Sequence, residues 1–174
     1  MNEFDLRDYI RSIPDFPLPG VLFRDVTPLL KEPAAFEAAL AGLQAYVESR
    51  RPSAIVGIES RGFLFGTPIA SRLGLPFVPV RKPGKLPAAH MSVEYSLEYS
   101  EGQLDIHSDA LRPGDSVVII DDLLATGGTA GGAAQLVEML GARVSGFAFL
   151  IELTGLQGRK HLAGRDIYSL IAYP

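Results

Sequence analysis

Short apolar runs bounded by glycine, proline and polar turns recur along the 174-residue chain, and stretches of helical period separate most of them. Residues 54–58 and 116–120 are near-continuous apolar runs, the pattern of strands buried on both faces. Residues 76–80, 144–151 and 167–172 read as further strands. After Pro33, residues 34–47 place Phe36, Leu40, Leu43 and Val47 at i, i+4, i+7 and i+11, which predicts a helix. Residues 63–73 predict a second helix, stopped by Gly74, and 129–140 a third; a short helix is expected around 156–161. Residues 92–106 are polar, with alternating Val93, Tyr95, Leu97, Tyr99, Leu104 and Ile106, and predict a hairpin bending near Ser100-Glu-Gly102. At the front, residues 4–13 have the spacing of a short amphipathic helix, with Phe4, Tyr9, Ile10 and Ile13 near one face. Pro14, Pro17 and Pro19 break it before Gly20 closes a turn. The alternation argues for an α/β fold, a parallel sheet flanked by helices, with its ligand site at the carboxyl ends of the strands.

Composition narrows the choices. At 47% hydrophobic and 21% charged, the chain is ordinary globular material, long enough for one compact domain with its own core. A formal net charge of −4 leaves no basic excess for gripping nucleic acid, so an anionic ligand must be met by a local cluster of donors. The absence of cysteine excludes disulfides and thiolate chemistry and suits a cytoplasmic setting. Residues 1–11 carry Glu3, Asp5 and Asp8 and no apolar h-region, so no signal peptide is expected. No stretch approaches the roughly 18 apolar residues of a membrane span. His90, His107 and His161 lack metal-ligand spacing, and no protein-only zinc site is predicted.

The densest chemistry lies in Val117-Val-Ile-Ile-Asp-Asp-Leu-Leu-Ala-Thr-Gly-Gly-Thr129. A buried strand ends in Asp121 and Asp122. A loop with two hydroxyls, Thr126 and Thr129, and two glycines, Gly127 and Gly128, then opens a helix. Glycines let backbone N–H groups approach an anion, hydroxyls donate, and the helix N-terminus adds its positive end, so Ala125 to Thr129 form a phosphate cradle. The carboxylates cannot serve the phosphate itself; they suit a diol or a hydrated metal ion beside it. Phosphate and sugar hydroxyls together describe a ribose 5-phosphate. Read as structure alone, the two carboxylates would carry a desolvation cost with no return. The other glycine-loop motifs, G-x-x-x-x-G-K-[ST] and G-x-G-x-x-G, are absent from this segment.

This segment resembles the phosphoribosyl pyrophosphate signature of the type I phosphoribosyltransferases. More narrowly, Asp121-Asp-Leu-Leu-Ala-Thr-Gly-Gly-Thr129 is similar to the form found in the adenine phosphoribosyltransferases. Three further stretches match that family in order and spacing. They are Phe16-Pro-Leu-Pro-Gly-Val-Leu-Phe-Arg-Asp25 with Thr27-Pro28, then Glu59-Ser-Arg-Gly-Phe-Leu-Phe-Gly66, then Arg81-Lys-Pro-Gly-Lys-Leu-Pro87 with Tyr95-Ser-Leu-Glu-Tyr99.

The resemblance implies a single-domain type I phosphoribosyltransferase fold over residues 1–174, its parallel sheet twisted, with an N-terminal hood (1–33) and a flexible β-hairpin flap (87–107). It implies transfer of the phosphoribosyl group from phosphoribosyl pyrophosphate to adenine, giving AMP and pyrophosphate, with Mg2+ arriving on the substrate near Asp121 and Asp122, and a homodimer. Ser60, Arg61, Arg81, Lys82 and Lys85 are then expected to meet pyrophosphate. Arg61, Asp121 and Asp122 are expected to act in catalysis, with Glu98 handling the imidazole-side proton of the base. Leu22, Phe23 and Arg24 are expected to meet adenine, and the peptide before the arginine of Glu59-Ser-Arg to be cis. Read without the resemblance, Ser60 is a helix N-cap, the 81–85 turn a solvated loop, the 92–106 hairpin an ordinary edge, and Phe16 and Phe23 core residues. Two functional alternatives remain at this level: a phosphoribosyltransferase for hypoxanthine, guanine or xanthine, and a non-catalytic sensor of the same ligands. The N-terminal ~28 residues hold no basic helix-turn-helix pattern of the kind a DNA-binding regulator adds.

Overall fold

The computed structural model describes residues 5–96 and 101–174. The chain divides into two compact units, Met1–Gly42 and Leu43–Pro174.

In the first unit the expected helix over 4–13 is replaced by a single 3-10 turn, Leu6–Tyr9, and a strand, β1 (Arg11–Pro14). β1 pairs antiparallel with β2 (Leu22–Asp25), Pro14 opposite Leu22 and Arg11 opposite Asp25. A residue before proline is pushed out of the helical region, and the ladder to β2 meets the backbone groups that a helix would have satisfied. The connecting loop is closed by the Gly20 N–H donating to Asp15 Oδ1 at 2.7 Å, and its Phe16–Pro17 bond is cis. Phe16 meets Phe23 edge-on at 5.2 Å but is itself exposed, as are Leu18, Val21 and Leu22. Phe16 is therefore no core residue. A short helix, α1 (Thr27–Lys31), leads to α2 (Pro33–Arg50), three residues longer at its end than the periodicity predicts.

The second unit is built on a five-stranded parallel sheet, β4-β3-β7-β8-β9. Its strands are β3 (Ala54–Ile58), β4 (Phe77–Val80), β7 (Ser116–Leu124), β8 (Arg143–Leu153) and β9 (Ile167–Tyr173). Every residue of β3 is buried because both faces are covered. Val56, Ile58, Val117 and Ile119 pack with Ala130, Ala133, Leu136 and Val137 of α4 (Gly128–Met139). On the opposite face, α3 (Arg61–Leu73) closes on β3 and β7 and is capped by Gly74. β4 is a sheet edge. Its Pro76 and Val80 carbonyls accept from the Ile55 and Glu59 N–H groups at 2.9 Å each, so positions 77 and 79 face away from β3, and Pro79 has no N–H to present there.

Strand β5 (His90–Ser96) pairs antiparallel with β6 (Glu101–His107). Glu101 and Gly102, expected in the bend, are strand residues opposite Ser96 and Tyr95; the connection is 97–100, outside the described residues. His90 and His107, distant in sequence, are register partners at the open end of this hairpin.

The expected short helix over 156–161 is split by Gln157, whose φ of 55° ends a 3-10 turn (Thr154–Leu156) before α5 (Gly158–His161) begins. Arg159 of α5 forms a bidentate pair with Glu152 of β8, Nε to Oε1 and Nη2 to Oε2, both 2.8 Å. Glu152 is only 5% exposed, and the Ser169 hydroxyl of β9 donates to its Oε2 at 2.5 Å. The hydrogen bond from Arg159 outweighs burial and holds the Glu152 carboxyl below its ordinary value of 4.5. A carboxylate with a depressed folded pKa contributes stability above its unfolded pKa and loses it as pH falls through the lower folded value. The stability gap between wild type and Glu152→Gln, measured by urea unfolding, is therefore expected to narrow as pH falls from about 6 to about 3. A gap that stayed constant over that range would contradict the pairing.

Candidate active site

Two strand ends meet at the carboxyl edge of the sheet. β7 does not stop at Ile120: it stays paired with β8 through Asp121↔Phe149, Leu123↔Ile151 and Leu124↔Glu152. The two carboxylates are thus strand residues, with side chains on opposite faces of the pleat. Asp122 is 3% exposed and its N–H donates to Asp121 Oδ1 at 2.8 Å. Arg61, the first residue of α3, reaches across from the end of β3 and pairs through Nε with Asp122. Gly62 lets this happen: a Cβ there would lie 2.6 Å from the Ile120 carbonyl oxygen and 3.1 Å from Asp121 Oδ1. Burial, and then the charge of Asp122, push the Asp121 carboxyl well above its ordinary value; Arg61 pulls only partly the other way.

Ser60 holds the N-cap position of α3, its carbonyl accepting from the Phe63 N–H at 3.2 Å, but its side chain makes no cap hydrogen bond. The cis peptide lies between Glu59 and Ser60, one bond earlier than expected. Glu59 accepts from Arg81 Nε at 3.1 Å and from the Lys82 N–H at 2.9 Å. The Arg81 hydrogen bond is the largest of the effects that lower the Glu59 carboxyl.

The loop after β7 turns into α4 at Gly127, which has φ 88°. A Cβ at Gly127 would lie 2.6 Å from the Gly158 carbonyl oxygen, so only glycine fits both the dihedral and the space. The first N–H groups of α4 have no partners within the helix.

A cavity of about 320 Å3 collects these groups. Ser60, Arg61, Lys82, Asp121, Asp122 and all of residues 125–129 line it. Arg81 and Lys85 do not: Arg81 is turned to Glu59, and its neighbour Lys82 is the cation of this turn at the cavity wall. Leu22, Phe23 and Arg24 lie on β2 in the first unit, with the Arg24 guanidinium donating to the Ser12 hydroxyl. Glu98 and Tyr99 fall outside the described residues. Sequence reasoning assigned no role to Glu59 or to Tyr95, which also lines the cavity. A carboxylate at the end of a buried strand, with a basic turn after the next strand, was the available signal for Glu59. The inward phase of the hairpin alternation was the signal for Tyr95. Among the described residues no three carboxylate or imidazole groups converge as a metal site, and no helix is long and apolar enough to cross a membrane.

The family model of the phosphoribosyl transferase domain matches residues 26–167. An adenine phosphoribosyltransferase of Carboxydothermus hydrogenoformans is 55% identical over 169 residues, 97% of this chain and 99% of that protein. The crystal structure of adenine phosphoribosyltransferase from Thermoanaerobacter pseudethanolicus matches with a TM-score of 0.95 at 54% identity, covering 97% of this chain and 98% of that one. The structure from Trypanosoma brucei, an adenine phosphoribosyltransferase in complex with AMP, pyrophosphate and ribose-5-phosphate, matches with a TM-score of 0.87 at 26% identity, covering 99% and 81%. A glycine-rich loop that opens a helix beside paired carboxylates, in a chain that these relatives match nearly end to end, places the chain among the adenine phosphoribosyltransferases of the phosphoribosyl transferase domain family.

Proposed function

We propose that the chain joins adenine to the ribose 5-phosphate of phosphoribosyl pyrophosphate, giving AMP and pyrophosphate. The observation that carries the reading is one cavity holding the 125–129 loop at the start of α4, the Asp121–Asp122 pair and Arg61. Residues 125–129 take the 5-phosphate through backbone N–H groups and the hydroxyls of Thr126 and Thr129. Asp121 and Asp122 accept from the 2′ and 3′ hydroxyls and favour positive charge on the ribose. Such charge develops as the bond from C1 to pyrophosphate breaks, its electron pair leaving with the pyrophosphate while a base nitrogen supplies the new bond. Ser60, Arg61 and Lys82, which line the cavity, meet the diphosphate. Glu98 takes the proton that the imidazole ring of the base gives up. Catalysis is then positioning and electrostatics with one proton transfer.

The carboxylates fit magnesium, a hard cation that prefers oxygen, and they would hold it jointly with substrate oxygens. When bound, the ion neutralises charge on the diphosphate. Residues 1–33 as hood and 87–107 as flap of one domain, a homodimer and a cytoplasmic setting belong to the same proposal; light scattering on the purified chain tests the dimer.

Base choice is read by the hood. Adenine differs from hypoxanthine by an amino donor and an unprotonated ring nitrogen, a pair that a backbone carbonyl and N–H near Leu22 and Arg24 match without a charged side chain. Sites that would leave buried polar groups unpaired reject the wrong substrate strongly, so adenine is expected to be preferred over hypoxanthine and guanine by about 10^3-fold or more in kcat/KM. Leu22→Val should keep that preference, and replacing Pro19-Gly20, which shapes the backbone, should erode it. Steady-state turnover with the three bases tests this. Comparable rates with hypoxanthine and adenine would overturn the adenine assignment and leave phosphoribosyl transfer standing.

A further inference from the structure

Glu152 is a buried carboxylate that the reaction does not use, and neither it nor Arg159 lines the cavity. What their pair holds in place is α5, and α5 presses on the loop proposed to take the 5-phosphate. The Gly158 carbonyl occupies the space that a Cβ at Gly127 would need, and the His161 Cβ lies 3.0 Å from the same point. In return, a Cβ at Gly158 would collide with the Ala125 carbonyl and lie 2.9 Å from the Leu124 side chain. Backbone thus rests on backbone, with no side chain between to absorb a shift. Behind this contact, Arg159 ties α5 to two strands at once. It grips Glu152 of β8 bidentately, and its Nη1 and Nη2 donate to the Ile167 carbonyl at 3.1 Å and the Ser169 hydroxyl at 3.3 Å. Glu152 in turn sits opposite Leu124, the last β7 residue before the loop.

We propose that Glu152, Arg159 and Ser169 form a clamp that positions the phosphate loop from behind, so that Arg159 sets affinity for the phosphoribosyl donor without touching it. This rests on the reading that residues 125–129 hold the 5-phosphate. Arg159 is a positioning residue, and its signature is selective. A loop displaced by a fraction of an ångström loses donor geometry, while the adenine side of the reaction is untouched. Small misplacements of this kind cost about ten- to a hundredfold.

The test is steady-state kinetics and calorimetric titration with phosphoribosyl pyrophosphate, on Arg159→Gln, Arg159→Lys and Gly158→Ala. Arg159→Gln is expected to raise KM for phosphoribosyl pyrophosphate about ten- to a hundredfold with KM for adenine near wild type, and Arg159→Lys to recover part of that loss. Gly158→Ala, which leaves the ion pair intact, is expected to reproduce the same selective loss and keeps the question answerable if Arg159→Gln folds poorly. Folded variants with lowered melting temperature and unchanged donor affinity would make the pair purely structural and overturn the proposal. Thr129→Val reports on the loop by itself. If it binds the donor as wild type does, the phosphate-loop reading falls and the clamp with it. If it loses affinity while the Arg159 and Gly158 variants do not, the clamp alone falls.

Discussion

Asp121→Asn combined with Asp122→Asn is expected to lower kcat/KM by about a thousandfold or more while the fold survives. Both halves follow from the geometry at the end of β7. Asparagine keeps the shape of each side chain, and the Asp122 N–H retains an oxygen acceptor at position 121. The charge state of Asp121 is unfavourable in the unliganded protein, because burial and its neighbour raise its pKa. A carboxyl with a raised folded pKa favours folding below its unfolded value of about 3.8 and loses that contribution as pH rises, so at neutral pH its removal relieves strain. Loss of the Asp122 charge costs Arg61 one ion pair, but its side chain is half-exposed, so the lost charge is not left buried. Stability therefore moves little. Turnover falls because, in the proposed mechanism, the carboxylates that line the cavity favour positive charge on the ribose. Melting temperature and kcat/KM measured on the same preparation separate the effects; a fully active double variant would remove the carboxylates from the mechanism.

Gly127→Val is expected to abolish measurable binding of phosphoribosyl pyrophosphate in calorimetry. The residue holds φ 88°, and a β-branched side chain in that region is strained by about 1–3 kcal/mol. Steric conflict with the Gly158 carbonyl adds to this, so the loop must move. Forcing it back on binding would weaken affinity about fivefold to a hundredfold from strain alone, at about 1.4 kcal/mol per decade. The valine side chain would further block approach of the N–H groups to the anion. A folded variant with wild-type affinity would count decisively against the cradle.

What was legible in the sequence was local. Buried runs such as 54–58 announce strands covered on both faces, Gly74 announces a helix stop, and the glycines of 127–128 announce a loop that opens a helix. What was not legible depends on partners distant along the chain. Residues 11–13 carry a helical spacing, yet β2 draws them into a ladder. Asp121 and Asp122 look like the end of a strand, yet β8 continues to pair with β7 to Leu124. Nothing local says that Lys82 rather than Arg81 lines the cavity; Glu59, more than twenty residues earlier, makes that choice by capturing the arginine. The Glu152–Arg159 pair spans only seven residues and was invisible because neither residue carries a motif.

The proline in the edge strand has a consequence for life at high concentration. Proteins with open sheet edges are at risk of adding strands from neighbouring molecules and growing into fibrils, because each exposed N–H and carbonyl is a template for the next chain. Along β4 the outward row is interrupted at Pro79, where an incoming strand would find an acceptor and no donor, one hydrogen bond short in a run of only four residues. Just past Val80 the Arg81 N–H donates to the Asp105 carbonyl of β6 at 2.9 Å and the Arg81 carbonyl accepts from the Asp105 N–H at 2.8 Å, so the gap at Pro79 and this bridge together leave an incoming strand little to pair with along β4.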